Sequence, residues 1–187
     1  MKQASFLPKL RMDHGGSLRN GKRKEARPFS HKHAIHLVLR SEKARGSWSL
    51  LTLSNESLVQ KLLYKFAEKY QIRIYRFVNV GNHLHLLIKT QARQYTVAQK
   101  NFQNFLRCFA GAVAFWVTGA KKASPKGGFW EKLVYSRMVI WGKQFKSISD
   151  YFTKNFFESK GLWAGKEDGW LTPWLLSLIE AGVGPPG

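Results

Sequence analysis

Two runs of alternating apolar residues, Ile72 to Val78 and His83 to Lys89, are separated only by Asn79-Val80-Gly81-Asn82. A gap that short, with Gly81-Asn82 as the turn, joins two strands as an antiparallel hairpin. A lone hairpin is marginal in water, so it needs further strands and a cover for at least one face. The flanking sequence supplies both. Ala34 to Leu39 alternates with period two and reads as a strand. Ser54 or Asn55 caps a helix that runs to about Tyr70, with Leu58, Leu62, Leu63, Phe66 and Ala67 as its apolar stripe. A second helix spans about Val97 to Val117 and buries Phe102, Phe105, Leu106, Phe109, Val113 and Trp116. A fourth strand covers Phe129 to Val139, and a last helix runs from about Phe145 to Glu158, stopping near Gly161. The order is βαββαβ plus one helix. It is the ferredoxin-like α+β plan: an antiparallel sheet, helices on one face, and an added C-terminal helix.

This plan occupies residues 31–161. Residues 1–30 read as a basic flexible arm, with Gly15, Gly16 and Gly21 and the cluster Lys22-Arg23-Lys24. Residues 162–187 form a Trp- and Gly-rich tail. The 31 Lys+Arg against 11 Asp+Glu give a net charge of +20, which calls for a polyanionic partner, most simply nucleic acid. At 44% hydrophobic the chain still carries enough apolar residues for a packed core. A single cysteine, Cys108, excludes an internal disulfide and a cysteine-based zinc knuckle. No stretch reads as a targeting segment or as long enough to span a bilayer, so the expectation is a cytoplasmic protein with no membrane partner.

On the second hairpin strand the period of two places His83, His85 and Leu87 on one face, and Leu84, Leu86 and Ile88 on the other. Two imidazoles two residues apart can converge on one divalent ion; the plainer reading of the pair alone is two satisfied or exposed histidines on a sheet. In the last helix Tyr151 and Asn155 lie one turn apart. Asn155 could offer an amide oxygen to the same ion, with Tyr151 beside it. The plainer alternative is a tyrosine packed on the core with a wet hydroxyl.

Taken together, Asn82-His83-Leu84-His85-Leu86-Leu87 and the pair Tyr151, Asn155 resemble the HUH endonuclease superfamily. Within it they are most similar to IS200-like single-tyrosine transposases, in particular REP-associated tyrosine transposases. His36-Leu37-Val38-Leu39-Arg40 resembles a first-strand motif of that family, and Phe129-Trp130 an aromatic pair ahead of the fourth strand. The likeness spans roughly His33 to Gly161. Two departures stand out: many relatives carry proline where Gly81 and Phe156 stand here.

The resemblance implies a DNA nicking and joining enzyme. Tyr151 would be the nucleophile, forming a 5′-phosphotyrosine and a free 3′-OH. His83, His85 and Asn155 would hold a divalent cation, Mg2+ or Mn2+; imidazole ligands suit manganese better. The partner would be single-stranded DNA, with hairpins or palindromic repeats as targets, and the protein would act as a monomer or a homodimer. Arg40 and His36 would contact the scissile phosphate or help build the sheet. Lys154 would be a flanking phosphate contact. Arg73, Arg76, Lys121, Lys122 and Lys126, and the arm residues Lys22, Arg23 and Lys24, are candidate backbone contacts or solvated surface. The alternative function is a non-catalytic, domesticated nucleic-acid-binding protein of the same fold.

Overall fold

The computed structural model describes residues 12–16, 25–121, 128–131 and 133–160. Its elements in chain order are β1 (Asp13–His14), β2 (Ala34–Arg40), α1 (Leu53–Lys69), β3 (Ile72–Asn79), β4 (His83–Thr90), α2 (Tyr95–Thr118), β5 (Tyr135–Val139) and α3 (Lys143–Ser159). The strands form one antiparallel sheet in the order β1-β5-β2-β4-β3. Without β1, this is the ferredoxin-like arrangement expected from the element order.

The two sheet faces have different covers. Ile35, Leu37 and Leu39 of β2 and Leu84, Leu86 and Ile88 of β4 join Val59, Leu63, Phe102, Phe105, Phe109 and Val113 in the main core beneath α1 and α2. On the other face Ala34, Val78, Leu87 and Val139 pack against Phe152 of α3. One strand therefore serves two cores, because successive side chains leave it in opposite directions. Among the described residues no helix is long and apolar enough to cross a membrane.

Several local expectations are corrected. Thr52 caps α1, its side chain accepting from the Asn55 N–H, while the buried Asn55 amide donates to the Ser47 and Ser49 carbonyls. Trp116 is 60% exposed, and Val117 takes the buried place at the end of the α2 stripe. The fourth strand begins only at Tyr135, since Phe129 is buried in the core and the Trp130 indole donates to the Ala110 carbonyl of α2. Part of the segment read as a flexible arm is strand: Asp13–His14 pairs with Arg137 and Ser136. Gly15 makes that approach possible, since a Cβ there would collide with the Val134 carbonyl. The tail from residue 162 and the cluster Lys22-Arg23-Lys24 lie outside the described residues.

Candidate active site

The hairpin turn fixes the first site residues. Gly81 has φ +89, a value closed to proline, whose ring holds φ near −65°. The proline common at this point in the resembling family is thus incompatible with this turn. Asn79 braces it, with Oδ1 accepting from the Gly81 N–H and Nδ2 donating to the Leu50 carbonyl. From this turn β4 projects His83 and His85 onto the α3 face, their ring centroids 4.7 Å apart.

Each imidazole is oriented from behind. His83 Nδ1 lies 2.6 Å from Asn82 Oδ1. A carbonyl oxygen can only accept, so the proton belongs on Nδ1 and the lone pair on Nε2. His85 Nδ1 lies 3.3 Å from His36 Nε2, with the rings stacked at 5.6 Å. If His85 donates from Nδ1, its Nε2 is also a bare lone pair. That nitrogen is buried and has no hydrogen-bond partner among the described residues. A buried acceptor left unpaired is costly unless a cation or donor meets it.

The electrostatics agree with neutral rings. Burial, aided by the charges of His83 and His36, pushes the His85 pKa down to about 3. Burial, and then Arg137, lowers His36 to about 4. His83 shifts downward as well, through burial and Arg40, with Glu131 opposing. Near neutral pH the rings are unprotonated, the form a metal ion requires.

α3 brings the phenol. Phe152 is buried beside His36 and His85, at ring distances of 5.3 and 5.9 Å. This anchors the helix and turns its neighbour outward. Tyr151 is 44% exposed, with its ring 5.6 Å from that of His85 in the same chain. No helix from a second copy is needed to complete this pairing. A groove of about 560 Å³ opens over Tyr151, His83, His85, Arg40, Glu131 and Tyr135.

The other expected site residues fall into place unevenly. Arg40 lines the groove, opposite His83 in register and 3.4 Å from Glu131. His36 is 6% exposed and paired within the sheet, because β2 places it behind His85 under α3. The Asn155 amide donates to the Tyr151 carbonyl at 2.9 Å, and Asn155 is not among the residues that line the groove with the histidines. Lys154 is exposed and pairs with Glu158 at 3.8 Å. Arg73 and Arg76 stand exposed on the edge strand β3, and Lys121 is exposed after α2. Lys122 and Lys126 lie outside the described residues.

Sequence reasoning missed the polar wall of the groove. Tyr135 donates to Asp13 Oδ1 at 3.2 Å, and Arg137 meets the same carboxylate at 3.6 Å. Burial and then Asp13 raise the Tyr135 pKa, so this second phenol is kept protonated. The one available signal was the rarity of acids in so basic a chain.

The fit to a metal can be judged from the donors alone. Among the described residues no three His, Cys, Asp or Glu side chains gather as a metal site. Two neutral imidazoles, His83 with its lone pair on Nε2 and His85 with a buried Nε2 that meets no partner among the described residues, still make a partial ligand set that an amide and substrate oxygens could complete.

The class these features define is an α+β ferredoxin-like domain with a His-x-His strand covered by a tyrosine-bearing helix. That fold is shared with a REP-associated tyrosine transposase solved in complex with a REP hairpin, at a TM-score of 0.56 and 13% identity, covering 87% of this chain and 88% of that one. A chain from Deinococcus radiodurans R1, proposed to be a transposase, aligns at 15% identity over 71% of this chain and 97% of its own, with a TM-score of 0.41, too low to bear on the fold. No family model matches the sequence, and no curated protein matches it either.

Proposed function

We propose that this protein is a transposase of the single-tyrosine type, which nicks and rejoins single-stranded DNA at hairpin or palindromic repeats through Tyr151. The observation that carries this reading is the approach of an exposed phenol to a buried, neutral imidazole, 5.6 Å between rings, over an open groove. The net charge of +20 suits a DNA substrate, and the shared fold belongs to a transposase bound to a REP hairpin.

A phosphodiester resists attack because it is anionic and its alkoxide leaves poorly. His83 and His85, with Asn155, would hold a divalent ion, Mg2+ or Mn2+, which would supply the countercharge on the scissile phosphate. In this reading His36 and Asn82 hold the protons of His85 and His83 on Nδ1, which leaves both Nε2 atoms as lone pairs for the ion. Arg40, at the groove wall, exchanges Glu131 for a phosphate oxygen. The Tyr151 oxygen forms a bond to phosphorus, and the bond from phosphorus to the 3′ oxygen breaks, releasing a 3′-OH. The 5′-phosphotyrosine retains the energy of the broken linkage. A second 3′-OH reverses the step and expels Tyr151, and no nucleotide cofactor is consumed.

The test is a denaturing gel of protein mixed with labelled single-stranded DNA and Mn2+. The wild type should form a covalent adduct. Tyr151→Phe should form none while still binding the DNA. An undiminished adduct in Tyr151→Phe would overturn the assignment of the nucleophile. Binding without any adduct in the wild type would favour the non-catalytic alternative.

A further inference from the structure

The histidine face of β4 does not end at the catalytic groove. After His83, His85 and the buried Leu87 comes Lys89, roughly 20 Å along the strand from His83. There a second groove, of about 480 Å³, is lined by Lys32, Arg73, Tyr75, Lys89 and Arg93, with no acidic residue in its walls. Arg73 and Lys89 are direct cross-strand neighbours. Like charges directly opposite one another destabilise a sheet, and an anion from outside would offset that repulsion.

The aromatic residues are placed with equal purpose. A bulge between Ile74 and Arg76 makes Tyr75 the extra residue of β3. Such bulges re-aim side chains. Here Tyr75 meets Trp141 and Phe145 at ring distances of 5.6 and 5.4 Å. The Arg73 guanidinium lies 5.2 Å from the Tyr75 ring centre, and Lys89 Nζ 5.4 Å from that of Trp141. The Trp141 indole donates to the Lys32 carbonyl at 2.9 Å, which fixes the ring while the residue stays 41% exposed. Phe145 packs on the Trp141 ring at 4.8 Å, so the ring is tethered and partly exposed beside the groove. An aromatic surface of this kind rimmed by cations is the combination that holds single-stranded nucleic acid: phosphates on the cations and a base stacked on the ring. A paired base offers no free face to such a ring.

We propose that this groove is a second nucleic-acid site, which holds a single-stranded DNA flank of the substrate. Lys32, Arg73, Lys89 and Arg93 take its phosphates, and a base stacks on Trp141. The inference rests on the reading that the substrate is DNA. α3 links the two grooves: Trp141 precedes its first residue, Phe145 lies in its first turn, and Tyr151 stands further along the same helix. A strand seated here would lead along α3 to the nucleophile.

The experiment measures binding by fluorescence anisotropy over a salt series, using a hairpin oligonucleotide with and without an unpaired flank. The proteins are the full-length wild type, the double variant Arg73→Gln/Lys89→Gln, and Trp141→Ala. Both variants should bind the flanked hairpin roughly tenfold more weakly, in line with the loss of one stacked base. The double variant should also lose about 1.4 from the slope of log affinity against log salt, the value for two single-strand phosphates. The unflanked hairpin should bind all three proteins alike. Equal affinities of wild type and variants for the flanked hairpin would overturn the groove and leave Tyr151 chemistry standing. An equal loss on both oligonucleotides would overturn the single-strand assignment. Wild type that binds neither would overturn this site and the DNA reading together. Flank-dependent binding without any Tyr151 adduct would uphold the groove and sink the catalytic reading. Should Trp141→Ala lose its folded circular dichroism, photocrosslinking of a 5-iodouracil flank to the wild type decides: adducts at Tyr75 or Trp141 uphold the site, and adducts only elsewhere overturn it.

Discussion

At one end of the α3 face of β4, His83 and His85 meet a groove in which burial strips the imidazoles of their charge. At the other end, Lys89 and its neighbour Arg73 line a groove without a carboxylate in its walls. The residues between them alternate with the same period, and the strand does not change direction. What differs is the cover. Phe152 seals the histidine end from above, while the lysine end is flanked by Trp141, itself partly exposed. Burial makes lone pairs available for a cation, and exposure keeps positive charge available for an anion. A single strand can present opposite chemistry at its two ends because Phe152 of α3 packs on the buried His85, while Lys89 at the other end is only half-buried.

The largest expected effect separates the two ends cleanly. His85→Ala removes the orphaned Nε2 and should lower metal-dependent cleavage by about a hundredfold or more, the scale at which lost charge stabilisation is felt. Affinity for single-stranded DNA measured without metal should stay near the wild-type value, because the cations of the second groove are untouched. The check is single-turnover cleavage in Mn2+ beside anisotropy in chelator. Full cleavage in His85→Ala would break the division of labour between the two grooves.

Much of this contrast was legible in the sequence. Period two alone assigns His83, His85 and Leu87 to one face, and the short gap before His83 compels the hairpin. The ferredoxin-like order of elements followed from the same patterns. The partnership of His36 with His85 was not legible, because it depends on which residue of β2 stands beside which residue of β4, and alternation within a strand carries no cross-strand register. Asp13–His14 was missed for a related reason: two residues are too few to show a period, and their pairing is set by Asp13 meeting Tyr135 and Arg137. Trp116 was misassigned because the stripe of a long helix drifts around its axis, so by the last turn Val117 faces inward. The basic groove was half visible. Arg73 could be named as a phosphate contact, but its alignment with Lys89, Tyr75 and Trp141 needed the bulge in β3.

A smaller effect is expected one layer behind the histidine pair. His36 touches His85 and is buried, so it acts as a positioning residue. His36→Leu removes the ring nitrogen that faces His85 Nδ1 and frees the ring to turn. Mn2+ affinity, read by electron paramagnetic resonance titration, should fall about 10–100-fold, the usual cost of losing a partner behind a metal-bound histidine. His36→Gln restores an oxygen acceptor and should recover part of the affinity. A merely structural role would instead leave Leu and Gln equal in metal binding and different only in thermal stability. That result would reduce His36 to a packing residue.

The mildest effect is on stability and needs neither metal nor DNA. Burial pushes the pKa of His36 down to about 4 and that of His85 down to about 3, against 6.5 for a free imidazole. The unfolded chain therefore binds protons that the folded chain refuses. Sign follows from linkage: the full contribution is present above pH 6.5, and it drains away as pH falls from there towards the folded values. Each buried histidine adds at most about 1.4 kcal/mol per pH unit inside that window. Urea midpoints measured between pH 7 and pH 5, above the range where most carboxylates titrate, should fall steadily, and His36→Leu should make the fall shallower. A midpoint independent of pH in this range would mean that the rings already carry protons in the folded state, and the contrast between a neutral and a cationic end of β4 would be lost.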